Sequence, residues 1–313
     1  MKGSHGRCAR CVPRVVPHEL FSTEVIDLAA GIAGLPRPER SYVVCATPRS
    51  GSTLLCRTLA GTGVAGVPEE YFEARIDTGA PRRPSDHLRG ANDLYLPALL
   101  SSDEPPEAPV YSALPAGEDY REHLRRTFAR GTTPNGVFGT KIMWTHLEDF
   151  LPLARRLPEL AGAPLGVVLR SLFGDARYVW VSRRDRVRQA ASLWRAIQTQ
   201  AWRAGQQGAP AAEPRYSFAA IDHLRHRLAG HERAWLRCFA HERIEPLRLW
   251  YEDLAADLAG AVGTVLRHID VPLASSDGLN APTRRQADEL SDAWVERYAR
   301  ERAALLHGAE VTA

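Results

Sequence analysis

Residues 43–55 read VVCATPRSGSTLL: a short apolar run, a polar turn, then the apolar start of a helix. A strand that feeds such a turn and a helix N-terminus makes an anion cradle. The first helical N–H groups have no partner within the helix, and the helix dipole adds positive potential there. The best-known loop of this layout is G-x-x-x-x-G-K-[ST], whose Lys reaches the β/γ-phosphates while Ser/Thr holds Mg²⁺. Laid over residues 46–53, Ala46 replaces the first glycine and Ser52 the lysine, while Gly51 and Thr53 keep their places. The positive charge moves to Arg49. With no lysine of its own, this loop is poorly built for ATP or GTP and suits a smaller anion.

Working outward, the stretch continues to residue 72 as TPRSGSTLLCRTLAGTGVAGVPEEYF from Thr47. It resembles the 5′-phosphosulfate loop of sulfotransferases that use 3′-phosphoadenosine 5′-phosphosulfate (PAPS). Through Pro68-Glu69-Glu70-Tyr71-Phe72 it is similar to the trehalose 2-sulfotransferase family of actinobacteria. A bare S-G-S-T turn would fit an ordinary strand–turn–helix without a ligand; the whole stretch is far more specific.

A second anchor follows the strand-like run RYVWVS at Arg177–Ser182. After Arg183-Arg184-Asp185, apolar residues at 187, 190, 191, 194, 197 and 201 keep to one helical face. Arg183 thus ends a strand just before a helix, at the edge where open parallel sheets bind ligands. This strand–Arg–helix–Ser order resembles the sulfotransferase motif in which an arginine and a serine, here Arg183 and Ser192, hold the 3′-phosphate. The family usually has Arg-Pro-Asp, so Arg184 in the middle leaves open which arginine grips the phosphate. Arg188, on the polar face, reads as a solvated charge.

Further matches run to about residue 300. GVFGTKIMW (136–144) resembles a family strand, with Lys141 either meeting the anion or lying solvated at an edge. The family's following Asn-Gln is Thr145-His146 here. Arg285-Gln286-Ala287, Ser291, Trp294 and Tyr298 resemble a segment that closes over the nucleotide. Ser291 is expected to cap a last helix running to about Leu306. Glu252 and Asp253, in LWYEDL, read as structural acids.

Short β runs at Tyr42–Ala46, Val137–Met143, Arg177–Ser182 and Pro246–Tyr251 alternate with amphipathic helical stretches. The expected class is α/β, a P-loop-like parallel sheet flanked by helices. Residues 1–20 read as an arm, Thr23 to about Ile32 as a helix, and 21–313 as one domain. A proline-rich insertion at about 79–118 follows the first βα unit and shapes a substrate mouth.

The 313 residues, 44% hydrophobic and 25% charged, are those of a globular protein able to bury a large core. No run of 18 apolar residues suggests a membrane span, and MKGSHGRCARCVPRVV lacks a signal-peptide core, so a cytoplasmic chain is expected. A net charge of +3 suits an anionic ligand, and the scattered arginines form no nucleic-acid stripe. The five cysteines, an odd number, point to free thiols. Cys8-x-x-Cys11 lacks the second pair a zinc site needs, so no metal is expected.

The resemblance implies a PAPS-dependent sulfotransferase. Sulfuryl transfer is an in-line displacement with a loose transition state. Arg49 and the N–H groups of Ser50, Gly51, Ser52 and Thr53 would stabilise charge on the departing phosphate. A hydroxyl nucleophile needs a base, a role the resemblance gives to Glu70; Glu69 reads as solvated or capping. Arg285 would contact the nucleotide. The implied acceptor is a trehalose-like sugar, with a glycosylated or phenolic secondary metabolite as the alternative; a homodimer stays open. Rival classes are a P-loop kinase or NTPase, which lacks its lysine and metal-binding Asp, and a non-catalytic nucleotide-binding module.

Overall fold

A computed structural model describes residues 32–76, 84–88, 90–91, 111–112, 114, 118–202, 213–272 and 289–311. The expected arm at 1–20 with Cys8 and Cys11, the helix at 23–32 except Ile32, most of the insertion and Arg285 lie outside them.

From the N-terminal side, β1 (Arg40–Ala46) passes through the anion loop into α1 (Ser52–Gly61). Two short strands, β2 (Arg75–Ile76) and β3 (Tyr111–Ser112), pair antiparallel, so part of the insertion's surroundings is ordered into a small ribbon. Next come α2 (Tyr120–Gly131), β4 (Val137–Met143), α3 (Leu147–Ala154), α4 (Leu165–Phe173), β5 (Arg177–Ser182) and α5 (Arg186–Thr199). The chain continues with α6 (Phe218–Glu242), β6 (Leu247–Trp250), α7 (Tyr251–Ala256), α8 (Leu258–His268) and α9 (Glu289–Val311). No helix among the described residues is long and apolar enough to cross a membrane.

The main sheet has the order β4-β1-β5-β6, with every pairing parallel. Its two faces follow from the period of two along each strand. Val43 and Cys45 of β1 join Phe138, Ile142, Tyr178 and Trp180 in one core. Tyr42 and Val44 join Val179 and Val181 with Leu55 and Leu59 of α1 in the other. Leu55 and Leu59 are fully buried, each contributing about 1.5–3 kcal/mol, and they fix the helix whose N-terminus forms the anion loop. A third core joins α5, α6 and α9 through Trp194, Leu224, Trp294 and Tyr298. Cys45, Cys56 and Cys238 are free and buried.

Register sets where the site can be. Ala46 pairs with both Met143 and Val181, and Ser182 with Trp250, so the strands end level. The loop after β1, Arg183 after β5 and Tyr251 after β6 therefore share one edge. Gly139 opens room for the next step: a Cβ there would lie 2.8 Å from the Tyr42 ring. That ring's hydroxyl donates to the Ala65 carbonyl at 2.7 Å, holding the chain that returns from α1. The returning chain then runs beside β4, and Lys141 N donates to the Glu69 carbonyl at 2.9 Å. Glu70 is delivered next to Lys141 by this pairing.

Two helical expectations need correction. Ser291 is the third residue of α9 and is buried, not its cap, and the helix extends to Val311. Helix α5 stops at Thr199, where Gln200 turns left-handed (φ 52°), so Ala201 lies beyond the apolar stripe it seemed to continue.

Candidate active site

The loop needs two left-handed residues to turn, Arg49 at φ 63° and Gly51 at φ 84°. Gly51 has a second reason to lack a side chain, because a Cβ would sit 2.6 Å from Tyr251 Cδ2. The loop is braced from behind. Gln189 of α5, fully buried, donates through Nε2 to Thr47 Oγ1 at 3.0 Å and to the Pro48 carbonyl at 2.8 Å. Trp235 Nε1 of α6 donates to the Ala46 carbonyl at 3.1 Å. Neither residue was singled out from sequence. The only signal was Gln189's place one turn before Ser192, on the side of α5 that turns out to face the loop.

The structure separates the three candidate arginines after β5, Arg183, Arg184 and Arg188. Arg183 is buried, its NH1 donates to the Arg49 carbonyl at 3.3 Å, and its guanidinium lies 4.3 Å over the Tyr251 ring. Arg184 turns away. It forks onto Asp253 with two bonds of 2.7 Å and covers Trp250 at 4.9 Å. Arg188 pairs with Asp185 at 3.2 Å and with Asp292 of α9; it is an ion-paired residue rather than the solvated charge expected, because α9 covers that face of α5. Glu252 accepts from the N–H groups of Arg184 and Asp185 at 3.2 Å, so it and Asp253 are structural, as expected.

Arg49 and Ser192, distant in sequence, meet directly. Arg49 Nε donates to Ser192 Oγ at 3.0 Å and NH1 to the Trp202 carbonyl at 2.7 Å. Burial, and then the nearby Arg195 and Arg183, push the Arg49 pKa down to about 10, so it stays charged at neutral pH. Burial lowers Arg183 as well, against the pull of Tyr251 and Asp185. Ser50 Oγ, Ser182 Oγ and Arg183 Nε are buried without a hydrogen-bond partner. A buried polar atom left unmade costs about 1–3 kcal/mol, and such atoms in a native fold call for an explanation. An oxyanion seated at the loop would accept from Arg183 Nε and from a serine hydroxyl.

On the opposite flank, Lys141 of β4 is not a solvated edge residue. It is buried, donates through Nζ to Thr53 Oγ1 at 2.9 Å, and stands 2.8 Å from Glu70 Oε1. Burial, the largest influence, acts to lower its pKa, but Glu70, Cys56 and Glu73 together outweigh it and the net direction is up. A lysine from the neighbouring strand thus stands against the loop that has none of its own. Glu70 is partly buried, whereas Glu69 is exposed with its carboxylate 3.8 Å from Arg130. Ser52 is buried at the start of α1. His146 is buried, its Nδ1 accepting from Met143 N at 3.3 Å. One ligand atom each from Glu70, Glu73 and His146 lies within 4.8 Å of the others, a grouping not foreseen from sequence. Trp144 belongs to the core, edge-on to Trp235 at 5.1 Å between ring centroids.

The edge thus holds a water-poor cationic cradle with unmet donors, joined through one lysine to a carboxylate. Such an arrangement can bind a phosphate-like anion and activate a hydroxyl beside it.

Comparison with known proteins agrees. The family model described as Stf0 sulphotransferase matches residues 41–301. A trehalose 2-sulfotransferase of Mycobacterium tuberculosis is 38% identical over 267 residues, covering 84% of this chain and 96% of that protein. One of Mycolicibacterium smegmatis is 36% identical over 267 residues, covering 83% and 95%. The crystal structure of sulfotransferase STF9 from Mycobacterium avium aligns over 85% of this chain and 69% of that one, at 14% identity and a TM-score of 0.41, too distant a likeness to carry an argument. The chain belongs to the Stf0 sulphotransferase family.

Proposed function

We propose that this sulfotransferase moves a sulfuryl group from PAPS to a hydroxyl of trehalose or a trehalose-like sugar, releasing 3′,5′-bisphosphoadenosine (PAP). The observation that carries the reading is the placing of Glu70 one lysine away from a loop whose buried donors are unmet. The acceptor class comes from the two mycobacterial relatives.

PAPS supplies the sulfuryl group and a phosphate leaving group. Glu70 takes the acceptor's proton as the hydroxyl oxygen bonds to sulfur. The S–O bond to the 5′-phosphate breaks, and its electron pair leaves with the phosphate. The N–H groups of residues 50–53 and Arg49 stabilise the charge that collects there. Arg183 and Ser192 hold the 3′-phosphate, and Arg49, bonded to Ser192, ties that end to the loop. Guanidinium suits this work because its planar fork matches phosphate oxygens. Arg285 is assigned to the nucleotide by resemblance.

One observation favours a second acceptor. His146 stands where the family resemblance places Gln, and it lies against Glu70 and Glu73. A glycosylated or phenolic metabolite is the alternative this change admits.

The test is transfer of labelled sulfate from PAPS to a panel of sugars and phenols, with Glu70→Gln and Glu69→Gln run in parallel. Glu70→Gln lowers turnover roughly 10²–10⁴-fold, the usual contribution of a general base, and Glu69→Gln changes it little. Stabilisation by ATP-Mg²⁺ but not by PAP would overturn the donor assignment and favour the kinase class.

A further inference from the structure

Lys141 is held by two partners that need different things during transfer. Thr53 Oγ1, 2.9 Å from its ammonium, belongs to the anion loop, while Glu70 Oε1, at 2.8 Å, belongs to the carboxylate that must accept a proton. An ammonium in contact favours the ionised carboxylate and makes it reluctant to take a proton. The contact therefore keeps Glu70 charged but blunts it as a base. The lysine backbone is fixed in the sheet, with Lys141 paired to Val44 in the centre of β1 and β4. Only its side-chain torsions can move it, and both partners lie within their reach.

The arrangement is a competition. An incoming phosphate brings more negative charge than one carboxylate, and it arrives beside Thr53. Lys141 is buried, so water screens neither attraction strongly.

We propose that Lys141 is a donor-controlled latch on the base. In the free enzyme its ammonium is shared between Glu70 and Thr53. The donor's 5′-phosphate draws it off Glu70, so the carboxylate becomes an effective base only when the sulfuryl group is in place. The acceptor proton then passes to Glu70, the acceptor oxygen bonds to sulfur, and the S–O bond to phosphate breaks. Lys141 keeps its proton throughout and hydrogen-bonds the departing phosphate oxygen. This inference rests on the proposed donor and base. Its consequence is that an enzyme holding acceptor alone keeps its base latched.

Calorimetric binding of PAP to the wild type, Glu70→Gln, Lys141→Met and the double variant tests it. If Glu70 competes for the lysine, Glu70→Gln binds PAP at least about threefold more tightly, and Lys141→Met at least about tenfold more weakly. In the Lys141→Met background Glu70→Gln then has no effect on affinity, a non-additive cycle. Tightening that persists without Lys141 would mean simple repulsion between Glu70 and the anion, and would overturn the latch. So would normal PAP binding by Lys141→Met, or unchanged binding by Glu70→Gln. If Lys141→Met fails to fold, Lys141→Gln takes its place in the cycle under the same criteria. Wild-type protein that binds no PAP would sink the proposed donor, and the latch with it.

Discussion

Arg183→Ala, set against Arg184→Ala, tests the site where neighbouring residues of one type face different surroundings. Arg183 is buried over Tyr251 with its Nε unsatisfied, and burial lowers its pKa. A guanidinium stays ionised at neutral pH, so the free protein carries that cost across its working range. Removing the side chain loses a cation–π contact of about 0.5–2 kcal/mol. It also loses the hydrogen bond to the Arg49 carbonyl and removes a buried unsatisfied donor costing about 1–3 kcal/mol. The gain offsets much of the loss, and the free variant should melt within several degrees of the wild type. Ligand binding behaves otherwise, because a charge-assisted bond to phosphate contributes about 1.5–3 kcal/mol, or roughly ten- to a hundredfold in affinity. PAP at about a hundred times its dissociation constant stabilises the wild type by about 2.7 kcal/mol. A hundredfold weaker variant at the same concentration gains only about 0.4 kcal/mol. A tenfold weaker one gains about 1.4 kcal/mol, so the melting shift with PAP should fall to about half or less in Arg183→Ala. In Arg184→Ala, which loses its fork onto Asp253 and its contact with Trp250, the shift should stay as in the wild type. Equal losses in the two variants, or a larger one in Arg184→Ala, would refute the assignment of Arg183 to the anion.

Gly51→Ala combines a left-handed backbone, costing about 1–2 kcal/mol, with a Cβ 2.6 Å from Tyr251, an overpacking that costs about 1–3 kcal/mol. Urea unfolding should show a loss of about 2–5 kcal/mol together with weaker PAP binding, and an unchanged midpoint with normal binding would contradict the geometry. His231 is pushed down to about 3 by burial and then by Arg227. The unfolded imidazole takes up its proton near pH 6.5 and the folded one does not, so its stability contribution is full above that pH and falls on acidification. The loss reaches up to about 2 kcal/mol by pH 5. His231→Asn should flatten the acid limb of a stability–pH curve, and parallel curves would show that His231 is not what titrates. Chelation with EDTA should leave turnover unchanged, since the Lys141 ammonium already faces Glu70 at 2.8 Å. Activity lost on chelation and restored by a divalent ion would make Glu70, Glu73 and His146 a metal centre.

Local chemistry determined a great deal of this protein. The apolar run, polar turn and helix start at residues 43–55 are set by near neighbours, so β1, the loop and α1 were legible in one pass. The limits of β4 and β5 fell where expected, because each strand is bounded by its own turn residues. Motifs single out Glu70, Arg49 and Arg183 as candidates, and the structure brings all three to one sheet edge. Position along the chain could not say which arginine faces the loop. That depends on Asp253 and Glu252, both in the first turn of α7, capturing Arg184 and leaving Arg183 over Tyr251. Nor could it show that Lys141 reaches the loop, since Thr53 lies 88 residues away in sequence. The brace from Gln189 spans 142 residues. Periodicity places a side chain on a face of its own strand or helix; which side chains meet across the edge is decided by sheet register and helix packing, and these exist only once the whole chain has folded.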